Sequence, residues 1–273
     1  MFQTLNTART TCGFGALTEN TTLDQAAANH AIYIAANGVS DTETQGLSGF
    51  TGVTYADRAI ALGYPGDASD VPGTDFVSGV SGGASWTNAT QTAQWYGQSA
   101  ANNYLGGVYH VGIAIWPVTE VGVGIDQVTA NNYPQVWDSI VIGNTSTASP
   151  ANGPLTFPCD GITGVPYEMV NEVPPAPNMT GGASGTPVAI AGGTGDTIVL
   201  QSGTMTDTTG NVINLQLLDS ANDPNHALPP FEAVAYPAGA LQPGATYTVS
   251  ITGTDNGTAF SRSFTFSTGN LAG

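Results

Sequence analysis

The first candidate for a catalytic or metal-binding residue in this sequence is a histidine at the start of an apolar run. Residues 109–124 read YHVGIAIWPVTEVGVG, in which apolar side chains alternate until Pro117 interrupts them. The alternation predicts a strand over 109–116, a turn and a second strand. A histidine at the start of a strand often serves only to cap or pack it. His110 therefore becomes a functional candidate only where other polar groups join it.

A serine within the pattern G-x-S-x-G, at residues 79–83, is a second candidate, because hydrolase nucleophiles occupy this pattern. A hydrolase also needs an acid and a histidine, and the residues available downstream are Asp126 and His226. They fall in different predicted domains, and the sequence has no HGGG-type oxyanion segment. A chain with 36 glycines produces such a pattern by chance. We interpret residues 78–85 as a flexible loop.

A third candidate is the acidic stretch DSANDPN at residues 219–225. Its oxygen-bearing side chains stand at alternate positions, as in calcium-binding loops. The stretch lacks the glycine and the closing glutamate of an EF-hand loop. We therefore expect a solvated turn here.

The overall charge argues against two classes of partner. The 273 residues include 20 acidic side chains, three arginines and no lysine, with a net charge of −17. Such an acidic surface repels nucleic acid and anionic lipid headgroups. No stretch reaches the ~18 apolar residues that suggest a membrane span. With 41% hydrophobic residues, the chain can bury a sizeable core.

Two cysteines indicate the compartment. Cys12 and Cys159 lie far apart, and neither belongs to a CxxC motif or a Cys/His metal-ligand spacing. This usage predicts a single long-range disulfide. Because disulfides persist in oxidising surroundings, we expect a secreted or cell-surface protein.

The order of predicted elements indicates two domains. Helical spacing recurs at about residues 2–12, 23–37, 55–62 and 87–104, and strands follow at 109–116, 121–127 and 135–142. Helices followed by antiparallel strands favour an α+β layered domain. After the connector EVPPAPNMTGGASGTP at 172–187, six or seven short apolar runs separated by turn residues predict an all-β sandwich.

Three separated segments resemble one family. They read LNTARTTCGFGALTENTTLDQAAANHAIYIAANG, GFTGVTYADRAIALGY and YHVGIAIWPVTEVGVG. In this order they resemble secreted bacterial CAP domains, the superfamily of cysteine-rich secretory, antigen 5 and pathogenesis-related proteins. The segment PAGALQPGATYTVSITGTDNGTAFSRSFTFSTG resembles the end of bacterial Ig-like domains.

The resemblance defines the expected architecture. It implies a CAP-type α-β-α sandwich at residues 1–172, with a core at about 3–145 and a return segment to Cys159. A Pro/Gly-rich linker at 173–187 and an Ig-like β-sandwich at 188–273 follow. The expected fold class is thus α+β, with an all-β second domain.

The same resemblance implies a cleft around His110. In the family, this histidine and a tryptophan six residues later form a signature, which Trp116 reproduces. A second histidine and acidic residues complete the cleft and hold a divalent metal in some members. Here Asp41 stands at the position of the second histidine, Glu43 matches an acidic residue, and Asp70 is the nearest counterpart of the cleft glutamate. His30 matches a helix position that usually packs.

The altered residue types change the expected chemistry. One histidine with three carboxylates is rich in oxygen and favours magnesium, calcium or manganese over zinc. Asp70 also reaches less far than a glutamate. We expect a degenerate cleft without a cofactor, and a divalent cation held by His110, Asp70 and Glu43 is the alternative.

The predicted function is non-enzymatic. We expect the cleft, with Tyr109, His110 and Trp116, to bind a small apolar or amphipathic molecule or an extracellular partner. One alternative is a metal-dependent hydrolase that uses His110, Asp70 and Glu43. Another is a structural surface or filament module that assembles through the Ig-like domain. Metal content would distinguish the first alternative and self-association the second. The sequence leaves the oligomeric state open.

Overall fold

A computed structural model describes residues 1–65, 77–85, 91–130, 132–145, 150 and 152–271. The chain combines helices with several sheets, in agreement with the predicted α+β class. It forms two compact units, each assembled from separate stretches. The first unit comprises Met1–Thr4, Gly15–Ala101 and Val118–Ser146. The second comprises Leu5–Phe14, Asn102–Pro117 and Thr147–Gly273.

Five helices occur in the described residues, close to most of the predicted positions. They are α1 (Phe2–Thr11), α2 (Thr21–Asn37), α3 (Tyr55–Ala61), α4 (Ala93–Gly106) and α5 (Gly112–Ile115). The side chain of Asn20 caps α2 by accepting from the N–H groups of Thr22 and Leu23. Gly38, at φ 98°, ends α2 as predicted. None of the described helices is long and apolar enough to cross a membrane.

One four-stranded sheet forms the layer against the helices of the first unit, in the order β1-β3-β4-β2. Its strands are β1 (Thr18–Glu19), β2 (Val77–Ser85), β3 (Val118–Ala130) and β4 (Tyr133–Thr145). The β3–β4 hairpin contains the two strands predicted at 121–127 and 135–142.

The expectation of a flexible loop at 78–85 is wrong, because these residues form β2 and pair with β4 along their length. Its glycines allow large rings to lie against the strand. A Cβ at Gly79 would stand 2.6 Å from the Tyr55 ring, and one at Gly83 would stand 2.2 Å from the Trp137 ring. The glycine content here therefore serves packing rather than mobility.

Helix α2 lies directly on β3. A Cβ at Gly122 would come within 2.0 Å of the α2 backbone at Leu23, and one at Gly124 within 2.2 Å at Ala27. Leu23 and Ala27 are fully buried. Alternate glycines on one face of a strand thus allow a close approach of helix and sheet.

The second unit is rich in strands. A five-stranded sheet has the order β11-β10-β14-β15-β6, a four-stranded sheet β12-β13-β9-β5, and a small sheet pairs β7 with β8. The strands are β5 (Leu155–Phe157), β6 (Thr163–Val165), β7 (Glu168–Val170), β8 (Ala183–Gly185), β9 (Val188–Ala191), β10 (Ile198–Asp207), β11 (Val212–Asn214), β12 (Gln216–Asp219), β13 (Glu232–Tyr236), β14 (Thr246–Asp255) and β15 (Thr258–Thr268). Strand β10 contacts β12 and β13 of the four-stranded sheet.

Strands of the two larger sheets of the second unit occur upstream of residue 188, where the β-sandwich was expected to begin. Strand β5 pairs with β9, and β6 pairs with β15. The connector at residues 173–187 also makes contacts within the second unit. Ser184 and Thr186 are buried, and the Tyr236 hydroxyl donates to the Pro177 carbonyl. Residues 173–187 thus belong to the compact second unit.

The prediction of a strand over 109–116 is wrong. His110 lies in a turn, and residues 112–115 form the one-turn helix α5, which ends where the Trp116 N–H donates to the Gly112 carbonyl. The side chains of Ile113 and Ile115 are buried. A short apolar run fits a buried helical turn as well as a strand, so periodicity alone could not decide.

The predicted disulfide is confirmed. Cys12 and Cys159 are joined, with a Cα–Cα distance of 5.3 Å and a sequence separation of 147 residues. The bond ties the end of α1 to the segment that follows β5.

Candidate functional site

The candidate residues fall into two groups. Asp41 and Glu43 belong to the first unit, whereas Tyr109, His110 and Trp116 belong to the second. Asp70 lies outside the described residues. Each group has its own network of hydrogen bonds.

Glu43 is the centre of a buried network in the first unit. Its carboxylate accepts from the His30 ring at 2.9 Å, from the Thr51 N–H at 2.6 Å and from the Thr51 hydroxyl at 3.2 Å. The Arg58 Nε lies 3.8 Å away. The other ring nitrogen of His30 faces the Ser40 carbonyl at 2.9 Å. Both carboxylate oxygens of Glu43 are thus engaged by donors of the protein, so Glu43 has a structural role.

His30 has the packing environment expected for its helix position. The ring is fully buried and packs edge-on against Tyr55, with ring centroids 5.4 Å apart. Burial, followed by the Arg58 charge, lowers its pKa, while Glu43 acts in the opposite direction. Both ring nitrogens face protein oxygens, so this ring has no nitrogen to offer a ligand.

Asp41, which was expected at the position of the family's second histidine, also makes hydrogen bonds within the protein. Its Oδ1 accepts from the Tyr55 hydroxyl at 2.8 Å and from the Ser81 hydroxyl at 3.1 Å. Ser81 also points to the Ser40 carbonyl at 3.1 Å. Burial and the Asp41 charge raise the pKa of Tyr55 well above its usual range. The aspartate therefore links β2 to the segment after α2.

The environment of Ser81 does not match a nucleophile elbow. The serine is buried in the middle of β2, and the elbow requires a sharp turn from strand to helix. Asp126 lies on β3, and His226 belongs to the second unit.

In the second unit, a glutamate holds the turn that carries His110. Glu172 is 5% exposed, and its carboxylate accepts from three successive backbone N–H groups, those of Val108, Tyr109 and His110, at 2.8–3.0 Å. Its Oε1 also lies 3.7 Å from the His110 Nδ1. Three N–H donors that converge on one carboxylate form a strong, charge-assisted contact.

A buried aspartate holds Tyr109. The tyrosine hydroxyl donates to Asp223 Oδ1 at 2.7 Å and accepts from Asn225 at 2.8 Å. The other oxygen of Asp223 accepts from the N–H groups of Ala227 and Leu228. Burial would raise the pKa of Asp223, but the hydrogen bonds from Tyr109 and the backbone outweigh it and lower that pKa. The expected solvated turn at 219–225 is wrong for Asp223, which is 2% exposed.

Trp116 contacts a third carboxyl group. Its indole Nε1 donates to Glu232 Oε2 at 2.5 Å, and its ring packs edge-on against Phe231. Glu232 Oε1 is buried without a hydrogen-bond partner. Burial raises the pKa of Glu232 to about 8, so the group is mostly protonated at neutral pH.

Two of these three anchors have no local signal in the sequence. Glu172 sits in the proline-rich connector and Glu232 opens β13, and neither belongs to a motif. In the sequence, Asp223 stands out only as one of several oxygen-bearing side chains in an acidic turn. Arg9 was missed too: its guanidinium donates to the carbonyls of Ala114 and Trp116, and burial lowers its pKa to about 10.

The described residues show no metal-binding group of three or more His, Cys, Asp or Glu side chains. An open cavity of about 570 Å³ lies elsewhere in the first unit, lined by Phe2, Glu19, Gln94, Gln98 and Val123 among others. It contains no histidine among its lining residues.

Comparison with known proteins identifies the family. The chain matches CAP, the cysteine-rich secretory protein family, over residues 2–142. No curated protein matches it. The matched stretch contains Asp41, Glu43 and the segment 109–116, and it ends before the three carboxyl anchors. Because it makes up more than half of the sequence, the chain belongs to the CAP family.

Proposed function

We propose that this CAP-family protein is a secreted or cell-surface binding protein without enzymatic activity. Members of the family are often secreted, and the Cys12–Cys159 disulfide suits an oxidising compartment. We further propose that the strand-rich unit is an Ig-like sandwich. The contacts of β10, in the five-stranded sheet, with β12 and β13 of the four-stranded sheet support this fold.

The anchoring of Tyr109, His110 and Trp116 carries the proposal. These half-buried side chains stand within eight residues of one another, and carboxyl groups hold the backbone or side chain of each. Anchored aromatic groups lose little conformational entropy on binding. The segment is therefore a preorganised surface of aromatic rings whose polar atoms, in Tyr109 and Trp116, are already hydrogen-bonded to the protein.

The state of the carboxyl groups supports a role without catalysis. Glu43, Glu172 and Asp223 each accept several hydrogen bonds from the protein. A carboxylate occupied in this way has few lone pairs left with which to contact a substrate. We therefore expect a small apolar or amphipathic ligand, or an extracellular partner, to bind at the 109–116 surface.

Titration with an amphipathic fluorescent probe, anilinonaphthalene sulfonate, tests the site. We expect saturable binding by the wild-type protein and at least about tenfold weaker binding by His110→Ala, a loss of about 1.4 kcal/mol. Tyr133→Phe, at an exposed aromatic residue of the first unit, is the matched control and should bind as the wild type does. Equal binding by His110→Ala and the wild type would disprove this location.

Two further measurements separate the alternatives. Calorimetric titration with zinc, calcium and manganese should show no stoichiometric binding that depends on His110. Such binding at micromolar affinity would instead favour the metal-dependent hydrolase. Concentration-dependent self-association in sedimentation experiments would favour the structural module.

A further inference from the structure

The contact between Glu172 and His110 bears on the chemical state of the histidine. The His110 Nδ1 is buried and has no hydrogen-bond partner, and the Glu172 Oε1 lies 3.7 Å from it. This distance is too long for a hydrogen bond but short enough for a strong electrostatic interaction. The nitrogen therefore faces a negative charge in a poorly solvated place.

The carboxylate cannot easily move away from the ring. Its oxygens accept from the backbone N–H groups of Val108, Tyr109 and His110, and Glu172 is 5% exposed. Because the three donors belong to the same turn as His110, the Glu172 carboxylate is fixed in position relative to the His110 ring. The ring also packs edge-on against Tyr104, with centroids 5.8 Å apart.

A glycine makes this arrangement possible. A Cβ at Gly107 would stand 2.5 Å from Glu172 Oε1 and 2.9 Å from the His110 Cβ. Any larger residue would force the carboxylate or the histidine to shift. Gly107 thus provides the space in which the two side chains meet.

A neutral imidazole carries its proton on one ring nitrogen, and the other has a lone pair. A lone pair at Nδ1 would be repelled by the Glu172 carboxylate, whereas an N–H there is attracted to it. We propose that Glu172 is a positioning residue that holds His110 in the Nδ1–H tautomer and leaves Nε2 as a hydrogen-bond acceptor. The proposal rests on the function assigned above to His110, and it assigns a role to a residue outside the matched CAP region.

The tautomer can be measured without any ligand. Long-range ¹H–¹⁵N NMR spectra of the full chain, recorded at about pH 8, distinguish the Nδ1–H and Nε2–H forms of each ring, and His110→Gln assigns the signals. We expect the wild type to show the Nδ1–H form at His110. A dominant Nε2–H form in the wild type would overturn the proposal, whatever the variants do.

Two variants act on the same contact in different ways. Glu172→Gln removes the charge, and Gly107→Ala keeps the charge but forces the carboxylate and the His110 ring into a different relative position. Both should convert the His110 signals to a mixture of tautomers. Glu232→Gln removes a carboxyl group that anchors Trp116 without contacting His110, and it should leave the tautomer unchanged.

The outcomes separate this proposal from the binding function. An unchanged tautomer in a folded Glu172→Gln variant would overturn the role of Glu172, even if probe binding at His110 is found. A tautomer shift without probe binding would support the role of Glu172 and contradict the binding function instead.

Discussion

The Trp116 indole and the Glu232 carboxyl group are joined by a 2.5 Å hydrogen bond, although they are 116 positions apart in sequence. The tryptophan lies in the stretch that matches the CAP family, and the glutamate opens β13. Glu232 is 1% exposed, and its second oxygen has no partner. The bond therefore connects the matched stretch to a carboxyl group that burial keeps largely protonated.

This pair predicts a loss of stability at alkaline pH. The pKa of Glu232 is raised from 4.5 to about 8, so between these values the folded state retains a proton that the unfolded state has released. The free energy of unfolding should therefore decrease as the pH rises from about 4.5 to about 8, and Glu232 should then contribute no further change. The shift corresponds to a loss on the order of 5 kcal/mol.

Urea denaturation at a series of pH values checks this prediction. The side chain in Glu232→Gln cannot ionise. As the pH rises, this variant should therefore become more stable relative to the wild type. A difference that stays constant from pH 5 to pH 9 would contradict the assignment, since both proteins share all other titrating groups.

The close approach of α2 to β3 predicts that Gly122→Ala and Gly124→Ala destabilise the first unit. Each new methyl group would collide with the α2 backbone, a helix that cannot yield like a flexible side chain. We expect losses of about 2–3 kcal/mol or more. Thermal unfolding measures the effect, and Gly15→Ala is the matched control because nothing lies within 4 Å of its Cβ. A Gly122→Ala protein as stable as the control would show that α2 does not approach the strand so closely.

The disulfide should contribute strongly to the stability of the second unit. It closes a loop of 147 residues, for which the chain-entropy estimate is about 4–5 kcal/mol. Thiol titration of the denatured, unreduced protein should find no free thiol, and the double variant Cys12→Ser/Cys159→Ser should unfold at a clearly lower temperature. Two free thiols in protein purified from an oxidising compartment would disprove the bond.

The packed connector should resist limited proteolysis. Residues 173–187 include buried backbone in β8, and Tyr236 and Asn225 donate to the carbonyls of Pro177 and Pro175. Proteases cut segments that can unfold locally, and these contacts oppose such opening. Digestion with a protease of broad specificity, followed by mass spectrometry, should give first cuts outside 173–187. An early cut within this range would instead support a free linker.

Local features were predictable from the sequence. The ends of α2 depend on nearby residues: Asn20 caps the start, one position before the expected threonines, and Gly38 takes the positive φ at the end. The β3–β4 hairpin follows from its alternating apolar residues. The disulfide was predictable because the chain has only two cysteines, and the CAP resemblance lay in ordered segments that a sequence displays directly.

The sequence by itself thus determined the family, the helices of the first unit, the hairpin and the disulfide, because each depends on short-range patterns or on composition. Only the tertiary structure decided the backbone conformation of residues 109–116. The apolar run at 109–116 fits a strand or a buried helical turn, and the donors of its turn find Glu172 more than 60 residues away. Partners at such distances leave no periodic trace in a single sequence. Burial likewise decided that Glu232 holds a proton while Asp223 and Glu172 serve as hydrogen-bond acceptors, since the local dielectric and the available donors depend on the complete fold.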